Sequence, residues 1–331
     1  MRFGFNDLGG DLTPLLSDYQ PAALVAFDGG RAQMLASAFP EATIIYRHMP
    51  DGDNLHARRP DAAAWYREAR AACGNNNRIV IQCGNEPDVR SPAELAALSA
   101  WTNTCIDAAN ADGGTVAVLA YSACHPDARD WSAQLLPVLR KLSGSRHMLA
   151  IHEYFLNNGQ PYCIGHFRDC FQACDRAQIA RPNMILTEYG FDLPGWKVTQ
   201  RERGLLDETY AAQLVRAWNE IYAPAGVSAA CIFCWGSFGG WQDYDVSGAG
   251  AFLTALKAAK LSNPAKRQAE PTSVATTTEP PSSAGNDDHG ALEARIAALE
   301  AKLDRVIAAN EQVRCTTAEL LVRLAEALKE V

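Results

Sequence analysis

Two glutamates of this chain each close a short apolar run. Glu86 ends Ile79-Val80-Ile81-Gln82-Cys83-Gly84-Asn85-Glu86-Pro87, and Glu188 ends Met184-Ile185-Leu186-Thr187-Glu188-Tyr189-Gly190. Short runs rich in Ile, Val and Leu read as buried strands. Two carboxyls projected from the C-terminal ends of such strands suit a demanding division of labour. One protonates a leaving oxygen while the other, ionised, acts on the carbon left behind. Acid-assisted cleavage of a glycosidic bond requires that pair.

The elements that must position them alternate along residues 1–261. Strands are expected at 2–6, 22–27, 42–48, 78–84, 115–121, 147–154, 183–188 and 228–236. Helices are expected at Arg31–Phe39, Asp61–Cys73, Pro92–Asn110, Asp130–Leu142, Phe167–Gln178, Glu208–Tyr222 and Ala251–Leu261. Ser91-Pro92 supplies an N-cap followed by a proline at the first helical position. Eight alternations predict a (β/α)8 TIM barrel, whose functional groups gather at the C-terminal mouth. A doubly wound open sheet is the alternative, but no G-x-G-x-x-G follows the first strand. The first crossover, Leu8–Pro21, is the least helix-like and should be irregular.

Composition narrows the function classes. The chain has 331 residues, 48% of them hydrophobic and 21% charged, enough to bury a full core. A net charge of -8 with no basic stripe argues against nucleic-acid binding. No apolar run is long enough to cross a membrane, and the N-terminus lacks the apolar region of a secretory signal. A cytoplasmic or virion-associated protein is therefore expected. Its ten cysteines should be reduced, buried small hydrophobes. Cys170 and Cys174, with Cys163 and His166 nearby, are weighed as a metal site and set below that reading. Cys231 and Cys234 should point to opposite faces of a strand. No metal and no cofactor are expected.

Past the barrel, residues 262–290 are rich in Pro, Thr, Ser and Glu and should form a disordered or extended linker. Residues 291–331 carry apolar side chains at alternating spacings of four and three, including Ile296, Leu299, Leu303, Val306 and Val313. That pattern, over about six heptads, predicts a coiled-coil helix that makes a homo-oligomer. Asn310 at an a position favours dimers, whereas Leu321 and Leu328 at e positions favour three or four strands.

At the mouth, strand 4 should end at Asn85-Glu86-Pro87, strand 6 at His152-Glu153-Tyr154, strand 7 at Thr187-Glu188-Tyr189-Gly190 and strand 8 at Cys234-Trp235-Gly236-Ser237. His152 and Tyr154 share a strand face that looks into the site, and Glu153 faces the other way. Taken in order, these motifs resemble glycoside hydrolase clan A, the retaining (β/α)8 glycosidases, in a family-five-like form. The resemblance covers the barrel alone. It implies that Glu188 is the nucleophile and Glu86 the acid/base, with their carboxyl groups about 5–5.5 Å apart. It further implies that Tyr154 bonds Glu188, that Asn85 holds a sugar 2-OH and that His152 lines the site. The clan places an arginine near the nucleophile; Arg47 is the match, one strand later than usual. Trp235, with Trp196, Trp241, Tyr244 or Phe155, would supply the apolar platforms for pyranose faces.

The substrate expected is a β-linked polymer cut internally, with glucan, mannan, galactan and bacterial surface glycan all left open. A second reading is a carbohydrate-binding barrel without turnover, multimerised for avidity. A third is a metal-dependent hydrolase using His48, His152 and a carboxylate, although the paired-histidine spacing is missing. Trp65, Trp101 and Trp218 fall in helices and read as core, and His125 is either a substrate contact or a plain loop residue.

Overall fold

The computed structural model describes residues 2–49, 55–89, 91–156, 164–192, 207–237 and 240–265. Eight strands run parallel and close on themselves in sequence order: β1 Gly4–Asp7, β2 Ala23–Ala26, β3 Thr43–Arg47, β4 Ile79–Cys83, β5 Thr115–Tyr121, β6 Met148–Leu156, β7 Asn183–Asp192 and β8 Ala229–Trp235. Around them lie α1 Gly29–Ala38, α2 Leu55–Arg58, α3 Ala62–Ala72, α4 Pro92–Asp112, α5 Ala128–Ser132, α6 Leu136–Leu142, α7 Phe167–Arg176, α8 Asp207–Ala217 and α9 Gly250–Ala258. The architecture is the expected (β/α)8 barrel.

Strand residues alternate between two cores, as the two-residue period of a strand requires. Val25, Ile45, Val80, Ala117, Ala150, Ile185 and Ala229 fill the barrel interior. Leu24, Ile44, Ile81, Val116, Leu149 and Leu186 point outward and pack with the helices. Small residues dominate the inner set, so the bottom of the barrel is a packed core and the polar side chains collect above it. Trp65, Trp101 and Trp218 are buried in the outer core, as read from the sequence.

Several expectations are corrected in detail. The single helix expected at 130–142 is two, α5 and α6, because Pro137 cannot continue a helix through the preceding turn. The helix expected at 208–222 changes at Trp218 into a π-helical turn, Trp218–Tyr222. Strands β6 and β7 run past the residues expected to end them. The first crossover is irregular as expected, with a π-helical turn at Leu15–Tyr19. The first residues of the expected linker are hydrogen-bonded onto the barrel: Ser262 O accepts from the Trp218 indole, and Ala265 N donates to Ala223 O. The remainder of the linker and the expected coiled coil at 291–331 lie outside the described residues. Among the described residues no helix is long and apolar enough to cross a membrane.

The cysteine expectation also needs correction. Seven cysteines, Cys170, Cys174, Cys231 and Cys234 among them, are free and buried. Cys124, after β5, is instead disulfide-bonded. Disulfide pairing needs two Cα atoms within about 4.4–6.8 Å, a proximity that the fold creates and sequence spacing does not show.

The cap at the start of α4 is complete. Ser91 Oγ accepts from Glu94 N at 3.2 Å, and Glu94 Oε2 accepts from Ser91 N at 3.0 Å. Such a reciprocal cap satisfies two backbone donors at once. Replacing Ser91 with Ala should cost about 1 kcal/mol and lower Tm by roughly 2–4 °C in a thermal melt followed by circular dichroism, without altering the barrel mouth.

Candidate active site

Glu188 reaches the interior through an irregularity in β7. Strands β6 and β7 pair in step up to Ile151 with Leu186; the next pair is His152 with Glu188, so Thr187 is an extra residue. Ile185 points into the barrel and Leu186 out. Strict alternation would place Thr187 inward and Glu188 outward. The extra residue reverses this, and such bulges commonly re-aim side chains beside active sites. Asn6, buried on β1, donates through Nδ2 to Thr187 O at 2.7 Å and so ties the irregular residue down.

The surroundings of Glu188 keep it charged. Arg47 Nη1 donates to Oε1, and Tyr154 Oη donates to Oε2 at 2.6 Å. His152 Nδ1 lies 3.5 Å from Oε2. Burial pushes this carboxyl's pKa up, but the electrostatic influence of His152 and Arg47 and the hydrogen bonds from Tyr154 and Arg47 outweigh it, holding Glu188 below the usual carboxylate range. Tyr154 is pushed the opposite way, by burial first and then by the Glu188 charge, so it stays a phenol that donates. The Arg47 guanidinium also sits over the Phe27 ring, 4.9 Å from its centre.

Glu86 differs in environment. Its side chain is 39% exposed, and Oε1 lies 2.8 Å from His152 Nδ1. Gly84, with φ of 89°, lets the chain turn sharply after β4, and Glu86 itself has φ of 39°. Left-handed backbone at a glutamate is unfavourable and is held here by the bond from Glu86 N to Ala120 O at 2.9 Å. Asn85, nearly buried, accepts from Gln82 Nε2 at 3.3 Å. The structure thus gathers Glu86, Glu188, His152, Tyr154 and Arg47 into one contact network, with Asn85 adjoining Glu86.

Solved structures similar to this chain include N2152 from Neocallimastix frontalis (14% identity, TM-score 0.47), whose match covers 71% of this chain and 60% of that protein. Others are a GH5-4 broad specificity endoglucanase from Ruminococcus champanellensis with bound cellotriose (13%, 0.47, covering 77% and 96%), and a GH128 subgroup II endo-β-1,3-glucanase from Sorangium cellulosum (14%, 0.49, covering 79% and 99%). No family model matches the sequence, and no curated protein matches it. At identities this low, the side chains of the barrel mouth carry the functional argument alone.

The aromatic expectations divide. Trp235 is not a platform: it is 1% exposed, its indole donates to Asp11 O at 2.8 Å, and its ring packs on Phe5. A Cβ on Gly10 would lie 2.5 Å from that indole, so the first crossover closes over it. Phe233, two residues earlier, packs with Tyr154 and Leu8 instead. Phe233 also meets Trp241 and Tyr244 edge-on, at 5.3 and 5.8 Å between ring centres, and Trp241 is 47% exposed. Trp196 lies outside the described residues, as does the side chain of Phe155. Neither Asn6 nor Phe233 is visible as a site residue in the sequence. Phe233 is masked by the neighbouring tryptophan, and Asn6 by the lack of any motif around it.

The metal readings find little support. His48 bonds Tyr46 and Glu68 and packs against Trp65, and it does not join His152. His166 bonds Pro126 O, and Cys170 and Cys174 are free. Among the described residues, the His/Cys/Asp/Glu group whose donor atoms converge is Glu86, His152 and Glu188. Arg47 already brings a cation to that group, which works against a second one.

Glu153 does face away from the mouth, as expected. It accepts from Gly165 N, from Phe167 N at 2.8 Å and from Tyr222 Oη at 2.7 Å, joining β6 to the start of α7 and to the turn at 218–222. Burial pushes its pKa up to about 7, against the pull of those hydrogen bonds. A carboxyl whose pKa is raised on folding stabilises the fold below its unfolded pKa and loses that contribution as pH rises through the folded value. Between about pH 4.5 and 7, wild type should therefore lose stability relative to Glu153→Gln as pH rises. Parallel urea unfolding curves across that window would check it; a pH-independent difference would contradict it.

Proposed function

We propose that this chain is a retaining glycoside hydrolase that cuts a β-linked glycan by double displacement. The observation that carries the reading is the closeness of its two carboxyls: donor oxygens of Glu86 and Glu188 lie within 4.8 Å of each other. Retaining enzymes hold their carboxyl groups about 5–5.5 Å apart, and inverting ones about 6.5–9.5 Å, to admit a water. The two environments also divide the roles. Glu188, ionised among donors, attacks the anomeric carbon; Glu86, at the solvent side, gives its proton to the leaving oxygen. Glu86 then takes a proton from water, which hydrolyses the glycosyl ester on Glu188 and regenerates both groups.

Other features suit a polyhydroxylated substrate. Among the described residues, Arg47 Nη2, Gln82 Oε1, His152 Nε2 and Thr187 Oγ1 are buried without a hydrogen-bond partner. Buried polar atoms are normally paired, and sugar hydroxyls supply both donors and acceptors. Asn85, beside Glu86, is placed for the 2-OH of the sugar under attack. Trp241, with Phe233 and Tyr244, offers an apolar face against which a pyranose ring stacks. A site reached from a mouth with an exposed aromatic suits cleavage within a polymer.

Reducing-sugar release from a panel of β-linked polysaccharides tests this. Glu188→Ala should lower kcat by at least about 10³, and Glu86→Ala by about 10²–10⁴, with azide partly restoring the latter as a glycosyl azide of retained configuration. Binding without hydrolysis across the panel would favour the non-catalytic carbohydrate-binding barrel instead. The pH profile gives a second check. Because Glu188 is held below the usual carboxylate range, the acid limb of kcat/KM should lie low, and Arg47→Met should move it to higher pH. An unmoved limb would show that Glu188 is not the group that must be ionised.

A further inference from the structure

Gln82 lies two places beyond Val80 on β4, so it shares the inward face of that strand. In the sheet it pairs with Arg47 on one side and Ala117 on the other. It is 1% exposed, and the double displacement itself gives it no step. Its Nε2 donates to Gly84 O at 3.0 Å and to Asn85 Oδ1 at 3.3 Å. Its Oε1 is buried with no hydrogen-bond partner among the described residues. A buried acceptor without a partner is costly. An apolar side chain at this position would avoid the cost, and what it would lose is the donor.

The two contacts of that donor fix which way both amides face. A carbonyl oxygen only accepts, so the end of Gln82 that meets Gly84 O must be its NH2. The atom of Asn85 that meets the same NH2 must then be its oxygen. The two orientations of an asparagine amide have nearly the same shape, and hydrogen bonding is what separates them. With its oxygen held by Gln82, Asn85 turns its own NH2 the other way.

The backbone around Asn85 is fixed on both sides. Gly84 before it has φ of 89°, and Glu86 after it has φ of 39°. Glu86 N is held by Ala120 O at 2.9 Å. The turn thus sets where the Asn85 side chain starts, and Gln82, reaching up from inside the barrel, sets the rotation of its amide.

We propose that Gln82 is a positioning residue of the glycosidase site, holding Asn85 with its NH2 towards the sugar so that it donates to the 2-oxygen of the unit under attack. The inference rests on the roles of Glu86 and Glu188 given above. Gln82 acts through Asn85 and touches no substrate in doing so.

Steady-state kinetics of the full chain on carboxymethylcellulose, laminarin and β-mannan, followed by reducing sugar, test this. On whichever is hydrolysed, Gln82→Met should lower kcat about tenfold and leave KM within about twofold, because a bond to the 2-oxygen tightens in the transition state. Asn85→Ala should lose at least as much, and adding Gln82→Met to it should cost no more than about twofold further. A purely structural Gln82 would cost the same in both backgrounds, and that additivity would overturn the proposal. Wild-type kcat in Gln82→Met would overturn it too. Should Gln82→Met fail to fold, Gln82→Asn, which keeps the amide but draws it back by one methylene, should show the same coupled loss. If a glycan is hydrolysed through Glu188 and only the coupling is missing, this inference falls and the roles of the two glutamates stand. If none is hydrolysed, both fall together.

Discussion

A carboxylate enclosed by a barrel stays ionised only if protein groups replace the water it has lost. Glu188 meets that condition through Arg47 from β3, Tyr154 from β6 and the nearby His152. The arrangement of the mouth follows from it. Arg47 and Tyr154 must stand on inward positions of their strands, which sets the register on both sides of the site. His152, drawn towards Glu188, is also the contact of Glu86, so a single imidazole links the two carboxyls. Remove the guanidinium, and Glu188 becomes an uncompensated buried charge or a neutral acid.

The barrel supports this chemistry from behind as well as from within. His152 and Tyr154 face inward on β6, and Glu153 between them faces outward. Glu153 gathers three donors from the start of α7 and the turn at 218–222, so the strand end is anchored on its outer side by groups away from the mouth. Asn6 does the equivalent for β7 by holding the Thr187 carbonyl. The small interior residues Ala117, Ala150 and Ala229 pack beneath them in the barrel. Precise placement of two carboxyls depends on this layered support more than on either glutamate.

Much of this was legible in the sequence, for a physical reason. Strand and helix periods are local properties, and eight apolar runs separated by amphipathic stretches leave few ways to bury every face. Glu86 and Glu188 stood out because a charged residue ending an apolar run is unfavourable unless chemistry requires it there. Arg47 could be selected only through the family resemblance, which places an arginine near this position. Trp235 misled because residue type alone does not reveal facing. Two positions along a strand that bends at its end separate a buried anchor from a ring beside the site.

By itself the sequence determined the order of elements and the alternation of inner and outer faces, which follow from neighbours within a few residues. Tertiary structure alone decided the rest. The extra residue in β7 that turns Glu188 inward exists only as a mismatch with β6. The ionisation of Glu188 depends on groups 34 and 141 residues away. A cavity beside Glu86 is formed by two loops that share no motif, and the disulfide at Cys124 depends on a proximity that spacing does not encode. Burial, register and charge compensation are properties of contact between distant segments, so they arise only when the chain closes its barrel.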